Sequence, residues 1–162
     1  MRKMTPCLWF DGKAEEAAKF YVSVFPNSKI VHTSYFTEEV AKAARQPVGS
    51  VLTVLFELDG HRFMALNGGP QFHFTPAISM MVFCDTQQEI DHFWEKLTAG
   101  GGKPGQCGWL EDKFGVSWQV VPSVFDQMMQ DPNAKKSAAV LHAMLPMTKF
   151  DIATLRKAYE QA

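Results

Sequence analysis

Gly108-Trp109-Leu110-Glu111-Asp112-Lys113-Phe114-Gly115-Val116-Ser117-Trp118-Gln119-Val120-Val121-Pro122 decides how this chain folds. Aromatic and β-branched residues flank an Asp-x-x-Gly segment, Asp112 to Gly115, and Pro122 ends the second run. The pattern predicts two short strands joined by a tight turn. If side chains alternate from Val116 to Val121, then Ser117, Gln119 and Val121 share one face while Trp118 and Val120 share the other. An amide, Gln119, then stands where a concave sheet face can hold a ligand.

Upstream the same grammar recurs. Cys7 to Phe10 is a short apolar run stopped by Asp11-Gly12, which predicts a buried strand. Ala14, Ala17, Ala18, Tyr21, Val22 and Phe25 recur at helical spacing behind Glu15 and Glu16, and Pro26-Asn27 ends the helix. Ser28 to Phe36 reads as a strand, and Thr37 to Gly49, polar and alanine-rich, reads as a short helix or a loop. Ser50 to Leu58 and His61 to Leu66 form a hairpin about Asp59-Gly60. After Asn67-Gly68-Gly69-Pro70 the order repeats: a strand from Ala77 to Cys84, a helix capped at Asp85-Thr86 with Ile90, Phe93, Trp94 and Leu97 on one face, a break at Gly100 to Gly102, and the hairpin of the opening stretch.

The fold class is therefore α+β, with two β-α-β-β-β modules at about 5–67 and 75–122. Beyond Pro122, residues 123–162 carry three helical patterns separated by Pro132 and Pro146, a C-terminal extension expected to pack on the same domain.

Composition narrows the function classes. The 162 residues are 46% hydrophobic and 20% charged, as in an ordinary soluble domain with its own core. Sixteen Lys and Arg against seventeen Asp and Glu leave no basic field to gather phosphates, so nucleic acid is not an expected partner. No apolar run reaches the roughly 18–20 residues that span a bilayer, and Met1 to Pro6 lacks the pattern of a secretory leader. The expectation is a cytoplasmic protein with no membrane partner. Three cysteines, Cys7, Cys84 and Cys107, without Cys-x-x-Cys spacing suit neither a disulfide framework nor a structural zinc site.

Chemistry-bearing motifs are sparse. The cluster Gly100 to Gly105 follows a helix instead of opening one, so it is not a phosphate loop, and no Gly-x-Gly-x-x-Gly follows a strand to seat a nucleotide or S-adenosylmethionine. His32, His61, His73, His92 and His142 form no spaced ligand cluster. His73 stands apart because Phe72 and Phe74 flank it in the connector between the modules. Cys107 lies in the glycine-rich entry to the final hairpin, where a thiol can be partly exposed. His73, Cys107 and Asp112 are the candidate catalytic residues, the first and last as general bases and Cys107 as a nucleophile.

Three groups of residues carry a family resemblance: Pro6-Cys7-Leu8-Trp9-Phe10-Asp11-Gly12 with Glu16-Ala17 and Phe20-Tyr21; Asn67-Gly68-Gly69-Pro70 with Phe72 and Phe74; and Gly105-Gln106-Cys107-Gly108-Trp109-Leu110 with Asp112 and Phe114-Gly115-Val116-Ser117-Trp118-Gln119. Ala143-Met144-Leu145 and Lys149 extend it into the tail. Together they resemble the vicinal oxygen chelate superfamily, the glyoxalase and bleomycin-resistance fold, and within it the PhnB-like branch named 3-demethylubiquinone-9 3-methyltransferase. The resemblance implies a curved, cup-shaped sheet around a cavity and a homodimer. Aligned on Phe20-Tyr21, the resemblance puts the positions that hold metal in relatives at Pro6 and Gln119 and near Ala65 and Ile78. None supplies a carboxylate or imidazole, so neither a metal nor any other cofactor is expected.

The leading expectation is a protein that binds a small molecule, partly aromatic, through Phe10, Asn67, His73, Trp109 and Gln119. Two alternatives stand beside it. One is an enzyme acting on a small aromatic or quinone-like substrate, including the methyltransferase of the family name; the other is a dimeric assembly protein without a ligand.

Overall fold

A computed structural model describes residues 3–162, and these divide into two compact units, one ending at Phe74 and the other beginning at Thr75. In the first unit β1 (Cys7–Phe10), α1 (Ala14–Val24), β2 (Lys29–Tyr35), α2 (Glu38–Ala44), β3 (Val51–Leu58) and β4 (His61–Asn67) follow in order. The strands form one four-stranded sheet in the order β1-β4-β3-β2. β1 runs parallel to β4 and the other pairs are antiparallel. The ambiguous segment after β2 is the short helix α2, which closes at Arg45 in the left-handed region with φ 56°. His61 opens β4 opposite Leu58.

The second unit repeats this topology. Its strands are β5 (Met80–Cys84), β6 (Lys103–Pro104), β7 (Trp109–Glu111) and β8 (Ser117–Pro122), with α3 (Gln87–Thr98) between β5 and β6. The sheet order is β5-β8-β7-β6, again with the first and last strands parallel. Strand β6 is only two residues long and lies within the glycine-rich cluster, a position where neither alternation nor propensity marks a strand. The α+β class and the duplicated module both hold.

Each sheet carries its helix on one face. In the first unit Tyr21 of α1 stacks on Phe56 of β3, and Phe56 stacks on Phe63 of β4, with ring centroids 6.1 and 5.5 Å apart. Ala14, Ala17 and Ala18 are fully buried, so α1 lies close against the strands. In the second unit Ile90, Phe93 and Leu97 of α3 bury against the sheet side that presents Val82, Leu110, Trp118 and Val120. Thr86 and Glu89 close the start of α3 as a reciprocal capping box.

Three helices follow β8: α4 (Ser123–Met129), α5 (Ala134–Met144) and α6 (Ile152–Glu160). The segment between α5 and α6 is tied to the second sheet and to α3. Met147 and Thr148 accept backbone hydrogen bonds from Cys107 and Gly108 just before β7, at 2.8 and 2.7 Å. Gln87 of α3 donates to the Phe150 carbonyl and accepts from the Ile152 amide, and Lys149 pairs with Asp91. Gly108 takes φ 81°, and a Cβ there would stand 2.5 Å from the Phe150 ring, so only glycine lets the tail approach this closely.

Candidate functional site

Residues paired in register on neighbouring strands project to the same side of a sheet, so the register decides which side chains stand on the face that α3 leaves uncovered. Gln119 pairs with Met81 on one side and Trp109 on the other. Phe83, paired with Val121, follows on the same face. Met81 is 49% and Phe83 53% exposed, while Trp109 and Gln119 are half-buried. An apolar, partly aromatic surface thus surrounds a single carboxamide. Gln119 Nε2 donates to Ser79 Oγ, 2.8 Å away, in the turn before β5. Lys103 and Glu111 stand at the margin of the face, paired at 2.7 Å.

The corresponding face of the first sheet carries Cys7, Trp9, Met64 and Leu66, since Cys7 pairs with Met64 and Trp9 with Leu66. Ser34 and Thr53 share a hydrogen bond there. Trp9 packs edge-on against Phe72 at 5.0 Å, and its Nε1 donates to the Gly69 carbonyl. Gly68 lies flat under the indole, where a Cβ would come within 2.2 Å of the ring.

Of the residues expected to contact a ligand, Trp109 and Gln119 stand side by side on the open face of the second sheet. Phe10 and Asn67 lie instead on the helix-bearing side of the first sheet, in register with each other. Phe10 is buried with its edge against Phe74. Asn67 accepts from the Ala14 amide through Oδ1 and donates to the Val51 carbonyl through Nδ2, both at 2.9 Å, so its carboxamide ties the start of α1 to the sheet. His73 is exposed in the connector.

The catalytic candidates are similarly dispersed. Asp112 is 2% exposed; its Oδ1 accepts from the Phe114 and Val116 amides and its Oδ2 from Trp118 Nε1 at 2.8 Å. Its carboxylate is the internal scaffold of the β7–β8 turn. Cys107 is half-buried with φ 53°, its thiol 3.8 Å from the Met144 carbonyl. Cys84 is buried on the α3 side, and desolvation, reinforced by Glu89 and Asp85, pushes its thiol up to about 12.

The positions equivalent to metal ligands also shift. Ala65 is fully buried on the α1 side, and Ile78 lies in the turn before β5, 76% exposed. Pro6 precedes β1 and contributes its carbonyl to the Met64 amide. In register with Gln119 stands Met81, and the matching pair of the first sheet is Cys7 with Met64. Among the described residues no group of three or more His, Cys, Asp or Glu side chains is placed to hold a metal ion. Thioethers and a neutral amide are poor donors for the hard divalent ions that oxygen ligands hold, so this residue set does not fit such a centre.

Ser79, Met81 and Phe83 were not legible as site residues. The signal was available in part: with β8 fixed by the Asp112 turn, a parallel partner strand must present Met81 and Phe83 beside Gln119 and Val121. Among the described residues no helix is long and apolar enough to cross a membrane.

Comparison with known proteins places these features in a family. The profile described as 3-demethylubiquinone-9 3-methyltransferase matches residues 2–121. A PhnB protein of Bacillus cereus with the same family description is 38% identical over 75% of this chain and 100% of its own, with a TM-score of 0.67. A protein of Pseudomonas aeruginosa shares the fold at 18% identity, covering 75% of this chain and 98% of its own, TM-score 0.60. The genomically encoded fosfomycin resistance protein FosX of Listeria monocytogenes does so at 12% identity, covering 80% and 98%, TM-score 0.56. A search of curated proteins finds no match. The chain belongs to the PhnB-like family described as 3-demethylubiquinone-9 3-methyltransferase, and it has the glyoxalase and bleomycin-resistance fold.

Proposed function

We infer that the protein binds a small, partly aromatic molecule on the open face of the second sheet, without a metal. One observation carries this reading: the Gln119 carboxamide is half-buried in the middle of a face whose flanking residues, Met81, Phe83 and Trp109, are apolar and accessible. Ligand sites combine apolar walls with a few polar groups that fix orientation. Thioether and indole side chains also suit aromatic rings, through sulfur contacts and edge or face packing. Trp109 and Gln119 are the direct contacts in this reading, and Phe10 and Asn67 support the first sheet from behind. Homodimerisation is part of the same proposal, and light-scattering mass in solution tests it.

Native mass spectrometry of the protein as purified, with elemental analysis for divalent ions, is the direct test. An adduct of small-molecule mass at substoichiometric metal supports the reading; stoichiometric divalent metal overturns its metal-free part. Absence of any adduct, together with no thermal shift across aromatic metabolites and quinones, overturns the binding part.

The family description favours a second reading, in which the bound molecule is a small aromatic or quinone-like substrate that is turned over. Cys107 and His73 are then the residues to vary, because the Asp112 carboxylate is engaged inside its turn. Cys107→Ser and His73→Ala proteins that keep full turnover of an identified substrate would remove that assignment.

A further inference from the structure

Trp109, the aromatic wall beside Gln119, opens a strand of only three residues, and its placement depends on the turn before it. Cys107 and Gly108 both lie in the left-handed region there, with φ 53° and 81°. Glycine adopts that region freely, whereas a residue with a side chain such as Cys107 keeps it only where its surroundings impose it. The tail imposes it here: the Cys107 amide donates to the Met147 carbonyl and the Gly108 amide to the Thr148 carbonyl. Strand β6 pairs further along, with Leu110 and Glu111, and does not hold this turn. Trp109 closes the turn by donating its amide to the Gln106 carbonyl at 3.0 Å, so the turn and the residue that carries the indole move together.

The tail is held in turn by a side chain of α3 that has a partner at each end. Gln87 Nε2 donates to the Phe150 carbonyl at 3.0 Å and to Asp91 Oδ1 at 3.2 Å, and Oε1 accepts from the Ile152 amide at 2.9 Å. Turning this carboxamide over would set N–H against N–H and oxygen against oxygen, so its orientation is fixed. Lys149 adds a second tie, to the same Asp91 oxygen. We propose that Gln87 is a positioning residue for the ligand face. By clamping residues 149–152 it holds the left-handed turn at Cys107 and Gly108, and through that turn it sets Trp109 for binding. The inference rests on the proposed binding at that face and adds a residue on α3, which covers the opposite side of the sheet. Coupling of this kind is reciprocal: a molecule that binds better when Trp109 is set must also draw the tail down.

Titration of 2-naphthol, a small aromatic probe, into the full chain tests this by NMR, with the Trp109 indole and the Gly108 and Ile152 amides followed in the unaltered protein and in Gln87→Ala. Alanine keeps the helix propensity of the first turn of α3 and removes every bond that the carboxamide makes. In the free variant the Gly108 and Ile152 amides are expected to be displaced, and the affinity for 2-naphthol to fall about ten-fold. Saturation with the probe then returns both amides to the positions they hold in the unaltered complex. That return separates positioning from a merely structural loss, which lowers stability but leaves the affinity of the folded protein unchanged and the amides displaced. Unchanged affinity in a folded Gln87→Ala protein, or amides that stay displaced at saturation, overturns the inference and leaves the binding function standing. Should Gln87→Ala fail to fold, Lys149→Ala, which removes the second tie between the tail and α3, is read by the same criteria. No shift of the Trp109 indole in the unaltered protein up to the solubility of 2-naphthol overturns both.

Discussion

Asp112 shows what a single buried carboxylate does when all of it is used. Oδ1 gathers two backbone amides of its own turn, and Oδ2 accepts from the Trp118 indole across the hairpin. In Asp112→Asn one end of the side chain becomes a donor, and whichever way the amide turns it faces an N–H. A buried donor without an acceptor costs about 1–3 kcal/mol. The expected result is an unfolding free energy lowered by that amount, read as a lower urea midpoint at unchanged slope, and a larger loss in Asp112→Ala. Gly68 is constrained from the other direction, by space. Gly68→Ala would drive a methyl group into the Trp9 ring, which the Gly69 carbonyl holds through Nε1. Overpacking of this kind costs about 1–3 kcal/mol, and because the ring must leave its hydrogen bond, Trp9 emission should shift to the red in the same variant. The thiols form a third contrast. Cys84, buried and pushed up to about 12, should stay inert to thiol reagents until the second unit unfolds, whereas exposed Cys7 reacts first and half-buried Cys107 follows. Timed labelling with peptide mapping reads all three.

At the scale of elements, local signals were the legible ones. The capping box of α3 sits within four residues, Thr86 to Glu89, and could be read directly; Thr86→Ala should cost about 1 kcal/mol in thermal or chemical unfolding. The Asp112 turn and the Asp59-Gly60 hairpin were legible for the same reason. Side assignment in β1 was not. Trp9 and Phe10 are adjacent aromatics in a strand of four residues, and nothing local says which of them faces α1. That choice is made by the parallel pairing with β4 and by Asn67, whose bond to Ala14 spans 53 positions. The same limit put a site position at Ile78: the strand was expected from Ala77 but begins at Met80, which moves the position beside Gln119 to Met81. Gln119 itself was legible because β8 is anchored by its own turn. Its partner Ser79 was not, since 40 positions and the whole of α3 separate them.

For the molecule as a whole, the C-terminal segment is held to the second sheet through groups that titrate. The Lys149 ammonium, with Gln87 adding a second hydrogen bond, holds the Asp91 carboxyl below its ordinary range, and Asp151 at the start of α6 is held low by its bonds to Thr154. Carboxyls depressed in the folded state add stability that is present above the unfolded carboxylate pKa and is lost as pH falls through the lower folded value. Both groups are solvent-exposed enough that the effect is modest and salt-sensitive. Hydrogen-exchange protection of the Cys107 and Gly108 amides, which bond to Met147 and Thr148, should therefore decline as the solution is acidified below the ordinary carboxylate range. Lys149→Ala should weaken that pH dependence without removing it, because Asp151 remains.

The join between Gly108 and the tail also bears on synthesis. The acceptors for the Cys107 and Gly108 amides lie 40 residues further along, at Met147 and Thr148, and Phe150 fills the space that Gly108 leaves beside β7. A nascent chain that has released β8 from the ribosome still lacks these partners, so the head of β7 stays frayed while α4 and α5 are emerging. The first unit, whose sheet is complete once β4 ends at Asn67, has no such wait.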